Sequence, residues 1–206
     1  MSAHEIVIFL MAGFAVLGAA DRILGNRLGL GKEFEEGILS MGSLAMAMAG
    51  VITLAPVLAA LLRPVVVPVY GFLGADPAMF AGTILACDMG GGQLAMELAE
   101  SEQAGLLGGV ITGSMLGATV VFTIPIAMGI LEEGDRPVMA KGILCGIVTI
   151  PVGVLVGGLA AGFAPGLVLR NLTPIVLIGA LIALGLWKAE RAMVAGFAAF
   201  GKGVIG

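Results

Sequence analysis

Charged residues are scarce in this chain, and their scarcity excludes most classes of soluble protein. Of the 206 residues, 12% are charged and 59% are hydrophobic, whereas soluble domains are nearer a quarter charged and half apolar. One histidine and two cysteines, both in apolar segments, give no basis for a metal site or a secreted disulfide framework. The net charge of -4, without a block of lysine or arginine, gives no reason to expect nucleic acid.

Long apolar runs without charge take the place of the missing polar residues. A helix of about 20 such residues crosses a hydrocarbon core of about 30 Å. The sequence therefore predicts an all-α, polytopic membrane protein with a single transmembrane domain over residues 1–206. We predict helices at about 4–21, 38–62, 103–131, 139–163 and 171–188, a broken hairpin at 64–98, and the start of another helix at 192–206.

The positions of the basic residues predict how the hairpin region crosses the membrane. If 64–98 returns to its starting side, as one re-entrant pair or as two crossings, only Arg63 and Arg170 lie apart from the other basic residues. The positive-inside rule favours this arrangement, because a single crossing would divide the charges almost evenly. Arg22 follows the first apolar run, so we interpret that run as a helix with a cytoplasmic C-terminal end and not as a signal peptide.

The most informative feature of the hairpin is an acidic residue, Asp88, followed closely by three consecutive glycines at 90–92. Asp76 is well placed to cap a helix that begins at Pro77. A helix from Pro77 to Asp88 would be roughly 18 Å long, a little over half the hydrocarbon thickness. We therefore predict that the glycines end this helix near the middle of the membrane.

A helix that ends at Asp88 would give this residue a specific electrostatic role. The unpaired carbonyls and the negative end of the helix dipole would lie beside the carboxylate, and all of them favour a cation. Gly90 and Gly91 would expose further carbonyls, and Thr83 and Gln93 would offer hydrogen bonds to a ligand hydroxyl. The alternatives are that Asp88 lies at the membrane interface or is a protonated structural residue.

Two further features have both a functional and a structural interpretation, and a third indicates packing alone. Glu35 and Glu36 precede a long helix and lie either near the solute pathway or in a solvated turn. Two repeats of Thr-Ile-Pro, with Thr123, Pro125, Thr149 and Pro151, predict helix kinks that are either structural or line and gate the pathway. Small residues at four-residue spacing predict close helix packing, and they include Gly105, Gly109, Gly113 and Gly117.

Several longer motifs resemble one family in the same order along almost the whole chain. They are Glu33-Phe34-Glu35-Glu36-Gly37, Leu54-Ala55-Pro56-Val57-Leu58, Met79-Phe80-Ala81-Gly82-Thr83, Ala86-Cys87-Asp88-Met89-Gly90-Gly91 and Gly146-Ile147-Val148-Thr149-Ile150-Pro151. In these motifs the chain is similar to the EutH-type ethanolamine permeases of bacterial ethanolamine-utilisation systems. The resemblance implies a multi-pass inner-membrane protein that imports ethanolamine for catabolism in the cytoplasm.

The resemblance also carries an expectation about length. Members of the family are roughly twice as long as this chain, which corresponds to the N-terminal half of a typical member. Because many transporters hold the substrate between two repeats, we expect either that this chain is a fragment or that another copy or a separate second-half chain completes the site.

Three classes of function remain open on these grounds. The first is an ethanolamine carrier in which Asp88 binds the ammonium group. The second is a proton- or Na⁺-coupled carrier of another small solute, in which Asp88 binds the ion. The third is a structural membrane subunit. We predict neither an enzyme nor a cofactor, since the sequence lacks HExxH, GxSxG and any paired catalytic set.

Overall fold

The computed structural model describes residues 3–132 and 134–205, and these are almost entirely helical. The chain divides into two compact units, Met1–Gly50 and Val51–Gly206. The α-helices in the described residues are α1 Ala3–Ile23, α2 Leu30–Phe72, α3 Ala78–Ile84, α4 Gly92–Leu98, α5 Glu102–Leu106, α6 Ile124–Ile130, α7 Arg136–Ala160 and α8 Pro165–Ile205. Three π-helical segments, π1 Cys87–Gly91, π2 Leu107–Gly117 and π3 Thr119–Thr123, lie between them.

Five helical stretches in the described residues are long and apolar enough to cross a membrane. They are His4–Ile23, Ile52–Phe72, Glu102–Ala127, Arg136–Ala160 and Pro165–Phe197. Large apolar side chains such as Val110, Val152 and Leu177 are exposed on these stretches, as lipid-facing residues are. The predicted class, an all-α polytopic membrane protein, is therefore confirmed.

Several predicted helix boundaries are wrong. Helix α2 continues through Pro64 and Pro68 to Phe72 instead of ending near Leu62, because transmembrane helices tolerate proline where the freed backbone groups find other partners. Helix α8 begins at Pro165, before the predicted start at Asn171, and continues to Ile205. Its backbone departs from helical geometry at Ala189, between the two helices that the sequence predicts there.

In the first unit, one buried aspartate orders the turn between α1 and α2. The two carboxylate oxygens of Asp21 accept hydrogen bonds from the backbone amides of Leu28 and Gly31, each at 2.9 Å. A Cβ at Gly18 would lie 2.9 Å from the Cβ of Phe34, so the helices are close at this point. Helices α1 and α2 are therefore in contact next to the turn that joins them, while most side chains of α1 are exposed.

In the second unit, a core of apolar side chains joins α7 and α8 to the π2 segment. Leu107, Val154 and Val168 are fully buried in this core, together with Met79 of α3. A Cβ at Gly158 would lie 3.0 to 3.2 Å from atoms of Leu107 and Val168. This close packing supports the short helices α3 and α4, which are too short to cross a membrane themselves.

The segment between α2 and α5 is a re-entrant hairpin, since its two ends meet. We call the end at Asp76 and Glu100 the mouth and the segment Cys87–Gly91 the tip. At the mouth, the backbone N–H of Glu100 donates to Asp76 Oδ2 at 3.0 Å. The chain thus leaves Asp76, turns at the tip and returns to Asp76, so the hairpin begins after α2 and not at Pro64 as predicted.

Candidate functional site

The first limb of the hairpin ends earlier than the sequence predicts. Helix α3 has seven residues and ends at Ile84, and Leu85 and Ala86 are extended, with ψ of 140° and 149°. The prediction that the glycines end a helix at Asp88 is therefore wrong. The break occurs at two apolar residues, because their carbonyls contact the glycine-rich π2 segment and the turn of the tip, which local sequence does not reveal.

The glycines at 90–92 form the turn that begins the second limb. Gly90 has φ of 86°, a left-handed conformation that favours glycine. The N–H of Gly91 donates to the carbonyl of Ala86 at 3.0 Å, and a Cβ at Gly91 would lie 2.6 Å from the Leu85 oxygen. Gly90 and Gly91 therefore shape the tip through their conformation and close packing.

Asp88 is therefore not the last residue of a helix. It lies in the connection between α3 and α4. The C-terminal end of α3 precedes it, and the N-terminal end of α4 begins at Gly92, just beyond it. The positive end of the α4 dipole thus opposes the negative end of α3 near the carboxylate. The predicted concentration of negative dipole at Asp88 is therefore wrong, and the carboxylate is the only negative group of the described tip that is left to favour a cation.

The length of the first limb can be compared with the thickness of a membrane. The seven residues of α3 and the two extended residues after it span roughly 17 Å at standard rises. This is about half of a hydrocarbon core of about 30 Å.

The Asp88 side chain is exposed and has no partner within the described part of the chain. No hydrogen bond or ion pair from a described residue reaches its carboxylate. An ionisable group without a partner inside a membrane is costly, so such groups are usually retained for binding.

The two predicted hydroxyl-binding residues differ in how much of their hydrogen-bonding capacity is free. Thr83 Oγ1 donates to the Met79 carbonyl at 2.7 Å and lies in reach of the Tyr70 hydroxyl. Gln93, in the first turn of α4, is exposed, and no described residue bonds its carboxamide. Gln93 therefore has both a donor and an acceptor available at the tip, whereas Thr83 can only accept.

The glycine stripe predicted from spacing packs against the whole length of the hairpin. A Cβ at Gly117 would overlap the Leu85 carbonyl, and one at Gly113 would lie 3.2 Å from the backbone nitrogen of Cys87. Gly109 approaches Gly92 and Ala95 in the same way, at 2.9 Å and 2.8 Å. These glycines leave room for the backbone break after α3 and for the turn at the tip, so both can pack inside the protein.

Glu35 and Glu36 belong to the first unit, and both form ion pairs there. Glu35 lies 2.6 Å from Arg22, and Glu36 lies 3.5 Å from Lys32 one helical turn earlier. All four side chains are about half exposed or more. These contacts favour the interpretation of Glu35 and Glu36 as solvated charges near a helix terminus.

The two Thr-Ile-Pro repeats occupy different settings. Pro125 lies in the first turn of α6, where the π-helical geometry of the preceding segment ends, whereas Pro151 lies inside α7. Thr149 Oγ1 donates to the Gly146 carbonyl at 2.7 Å, and Thr123 lines a cavity of about 280 Å³ beside Gly146. This cavity lies between the two proline-containing spans, and Asp88 is not among its lining residues.

Sequence reasoning missed the residues that close the mouth of the hairpin. Asn171 Oδ1 accepts a hydrogen bond from the backbone N–H of Asp76 at 2.6 Å, and Arg170 Nε donates to the Gly74 carbonyl. Asp76 Oδ1 also accepts from the Ala78 N–H at 2.9 Å, which is the predicted helix cap. In the sequence, Asn171 is marked only as a polar residue at the edge of an apolar run. Its burial becomes visible in the structure.

These features define a polytopic membrane protein with a broken, re-entrant segment, the arrangement in which many transporters hold their solute. The family model described as "Ethanolamine utilisation protein, EutH" matches residues 3–206, and the chain belongs to this family. The resemblance seen in the sequence motifs is therefore confirmed.

Three relatives show how far the similarity extends. "Probable ethanolamine permease EutH" of Listeria monocytogenes is 59% identical over 205 residues, which cover 100% of this chain and 55% of that protein. "Uncharacterized protein YxeR" of Bacillus subtilis is 52% identical, over 99% of this chain and 55% of that protein. "Probable ethanolamine permease EutH" of Escherichia coli is 46% identical, over 98% and 56%.

The chain thus spans about half the length of the curated relatives it matches. No solved structure matches it.

Proposed function

We propose that this chain forms part of a carrier that moves ethanolamine across the bacterial inner membrane. The main support for the proposal comes from Asp88. Its carboxylate is exposed at the tip of the hairpin and has no partner among the described residues. The names of the Listeria and Escherichia relatives support ethanolamine as the solute.

The chemistry of the tip fits a small molecule with one ammonium and one hydroxyl group. The Asp88 carboxylate binds the ammonium through charge-assisted hydrogen bonds, which are stronger than neutral ones. The Gln93 carboxamide exchanges a hydrogen bond with the hydroxyl, while Thr83 has acceptor capacity only. Because ammonium groups stay protonated near neutral pH, a carboxylate is the appropriate partner.

The transport step is a change of exposure and involves no bond chemistry. The extended residues Leu85 and Ala86 separate α3 from the tip, so the limbs of the hairpin can move relative to each other without unwinding a continuous helix. Pro125 and Pro151 act as hinges in this scheme. The opposite wall of the site comes from residues outside this sequence, either in a longer form of the protein, in a second copy or in a separate chain.

Uptake of labelled ethanolamine into proteoliposomes containing this chain tests the proposal. We expect saturable uptake that is lost in Asp88→Asn, a change that removes the charge and keeps the shape. Asp135→Asn is the matched control, since Asp135 is an exposed acidic residue at the start of α7 and caps no helix through its side chain. Full uptake by Asp88→Asn at normal protein levels would contradict the proposal.

An ion-coupled carrier is the second candidate, because a carboxylate without a partner also suits a proton or Na⁺. The same vesicles with an imposed pH or Na⁺ gradient distinguish the two functions. If Asp88→Asn keeps uptake but removes its response to the gradient, Asp88 binds the coupling ion and the solute binds elsewhere.

A further inference from the structure

A polar cavity of about 490 Å³ lies at the mouth of the hairpin, far from Asp88 along the limbs. We call it the mouth cavity, and the lining residues used here are Asp76, Glu100, Ser101, Gly166, Arg170 and Asn171. A water molecule occupies about 30 Å³ of liquid, so the cavity has room for a small solute with its hydration shell. Its residues come from the connections before α3 and α5 and from the first two turns of α8.

The clearest sign of a binding site in this cavity is the amide nitrogen of Asn171. The residue is 3% exposed, and its Oδ1 accepts from the Asp76 backbone N–H. A backbone N–H can only donate, so the oxygen must face Asp76 and Nδ2 must point away from it. No described residue accepts a hydrogen bond from Nδ2, and Asn171 lines the cavity.

The charges around this amide favour a cation. Two carboxylates, Asp76 and Glu100, line the cavity against one guanidinium, Arg170, which gives a net charge of about -1 at neutral pH. Asp76 accepts one backbone hydrogen bond on each oxygen. The side-chain carboxylate of Glu100 is exposed and has no partner among the described residues, so it is free to bind an ammonium group.

We propose that the mouth cavity is a second binding site for a small amino alcohol, which it holds before the molecule reaches the tip. Glu100 binds the ammonium group, and Asn171 Nδ2 donates to the hydroxyl oxygen. The choice of solute rests on the proposed function. Arg63 and Arg170 lie on this side, whereas Arg136 and Lys141 begin α7 at the opposite side, so the positive-inside rule places the cavity outside the cell.

The test measures protection of an engineered cysteine and needs no transport. Gly166 lines the cavity, and a Cβ there would meet nothing within 4 Å. The reporter is Gly166→Cys in a background without Cys87 and Cys145, labelled in cells by a membrane-impermeant maleimide. We expect ethanolamine to slow labelling at Gly166→Cys and to leave the rate unchanged at Ala161→Cys, an exposed position outside the lining.

Two substitutions in the Gly166→Cys protein, Glu100→Gln and Asn171→Leu, identify the side chains that bind the ammonium and hydroxyl groups. Glu100→Gln should raise the ethanolamine concentration that gives half protection by about three- to tenfold, while Glu102→Gln, outside the lining, should not. Ethylamine lacks the hydroxyl and should protect more weakly than ethanolamine. Asn171→Leu should remove this difference, and if that variant fails to fold, the comparison of Glu100→Gln with Glu102→Gln decides.

The outcomes separate this inference from the proposed function. Uptake without any protection at Gly166→Cys, or equal protection in Glu100→Gln and Glu102→Gln, would overturn the mouth site. Protection that depends on Glu100, in a protein that transports no ethanolamine, would support the mouth site and contradict the carrier function.

Discussion

The mouth and the tip of the re-entrant hairpin each contain an aspartate, and the two side chains have opposite surroundings. Asp76 is 5% exposed, and its carboxylate accepts hydrogen bonds from the amides of Ala78 and Glu100. Asp88 is exposed and has no partner among the described residues. Both oxygens of the Asp76 carboxylate accept hydrogen bonds within the protein. The Asp88 carboxylate is available to a ligand. An acidic residue in an apolar sequence can therefore be structural or functional, and its hydrogen bonds decide which.

The largest expected effect is on folding at the mouth. Asp76→Ala removes the cap of α3 and leaves the Glu100 N–H without its acceptor, so we expect a loss of about 2 to 4 kcal/mol in the free energy of unfolding. Denaturation by SDS in mixed micelles measures it. Asp135→Ala is the control and should change stability little, and equal stability in both variants would remove the structural role of Asp76.

The next effect separates the two aspartates by function. Asp88→Asn should lower the kcat/KM of ethanolamine uptake by about tenfold to hundredfold, since hydrogen bonds to charged groups contribute about 1.5 to 3 kcal/mol. Its free energy of unfolding should stay within about 0.5 kcal/mol of the parent protein, because no described residue depends on the carboxylate. A loss of stability as large as that of Asp76→Ala would make Asp88 structural as well.

A third prediction concerns the packing that supports the tip. Gly117→Ala adds a Cβ that overlaps the Leu85 carbonyl, so we expect destabilisation of about 1 to 3 kcal/mol. Gly142→Ala is the matched control, because a Cβ there meets nothing within 4 Å in α7. Thermal unfolding in detergent compares the two, and equal unfolding temperatures would show that the hairpin does not depend on this contact.

The smallest effect tests which residue binds the ligand hydroxyl. Gln93→Leu should raise the KM for ethanolamine about three- to tenfold, the consequence of losing one hydrogen bond. Thr83→Val should change the KM less, since the Thr83 hydroxyl already donates to Met79. Uptake kinetics of both variants at several concentrations measure the difference. A larger effect at Thr83 would reverse the assignment.

The sequence predicted the fold class correctly, and it predicted a chain reversal before α5, because both follow from the distribution of apolar and basic residues. Apolar length sets the number of spans, and the asymmetry of basic residues required an even number of crossings between Arg63 and Glu102. The Asp76 cap was likewise a local pattern that the structure confirms. Helix boundaries failed where local rules conflicted with packing, as at Pro64 and Pro68, which α2 continues through.

The amino-acid sequence by itself determined that the chain is a membrane protein, that it contains a carboxylate next to a run of glycines, and that glycines allow close packing. Only the tertiary structure decided that the first limb ends at Ile84, that Asp88 has no described partner, and that Asn171 closes the mouth. The physical reason is the range of the interactions. Transfer of apolar segments out of water can be predicted from composition and from the length of apolar runs. A hydrogen bond between Asp76 and Asn171, in contrast, joins residues distant in sequence and forms only after the helices pack.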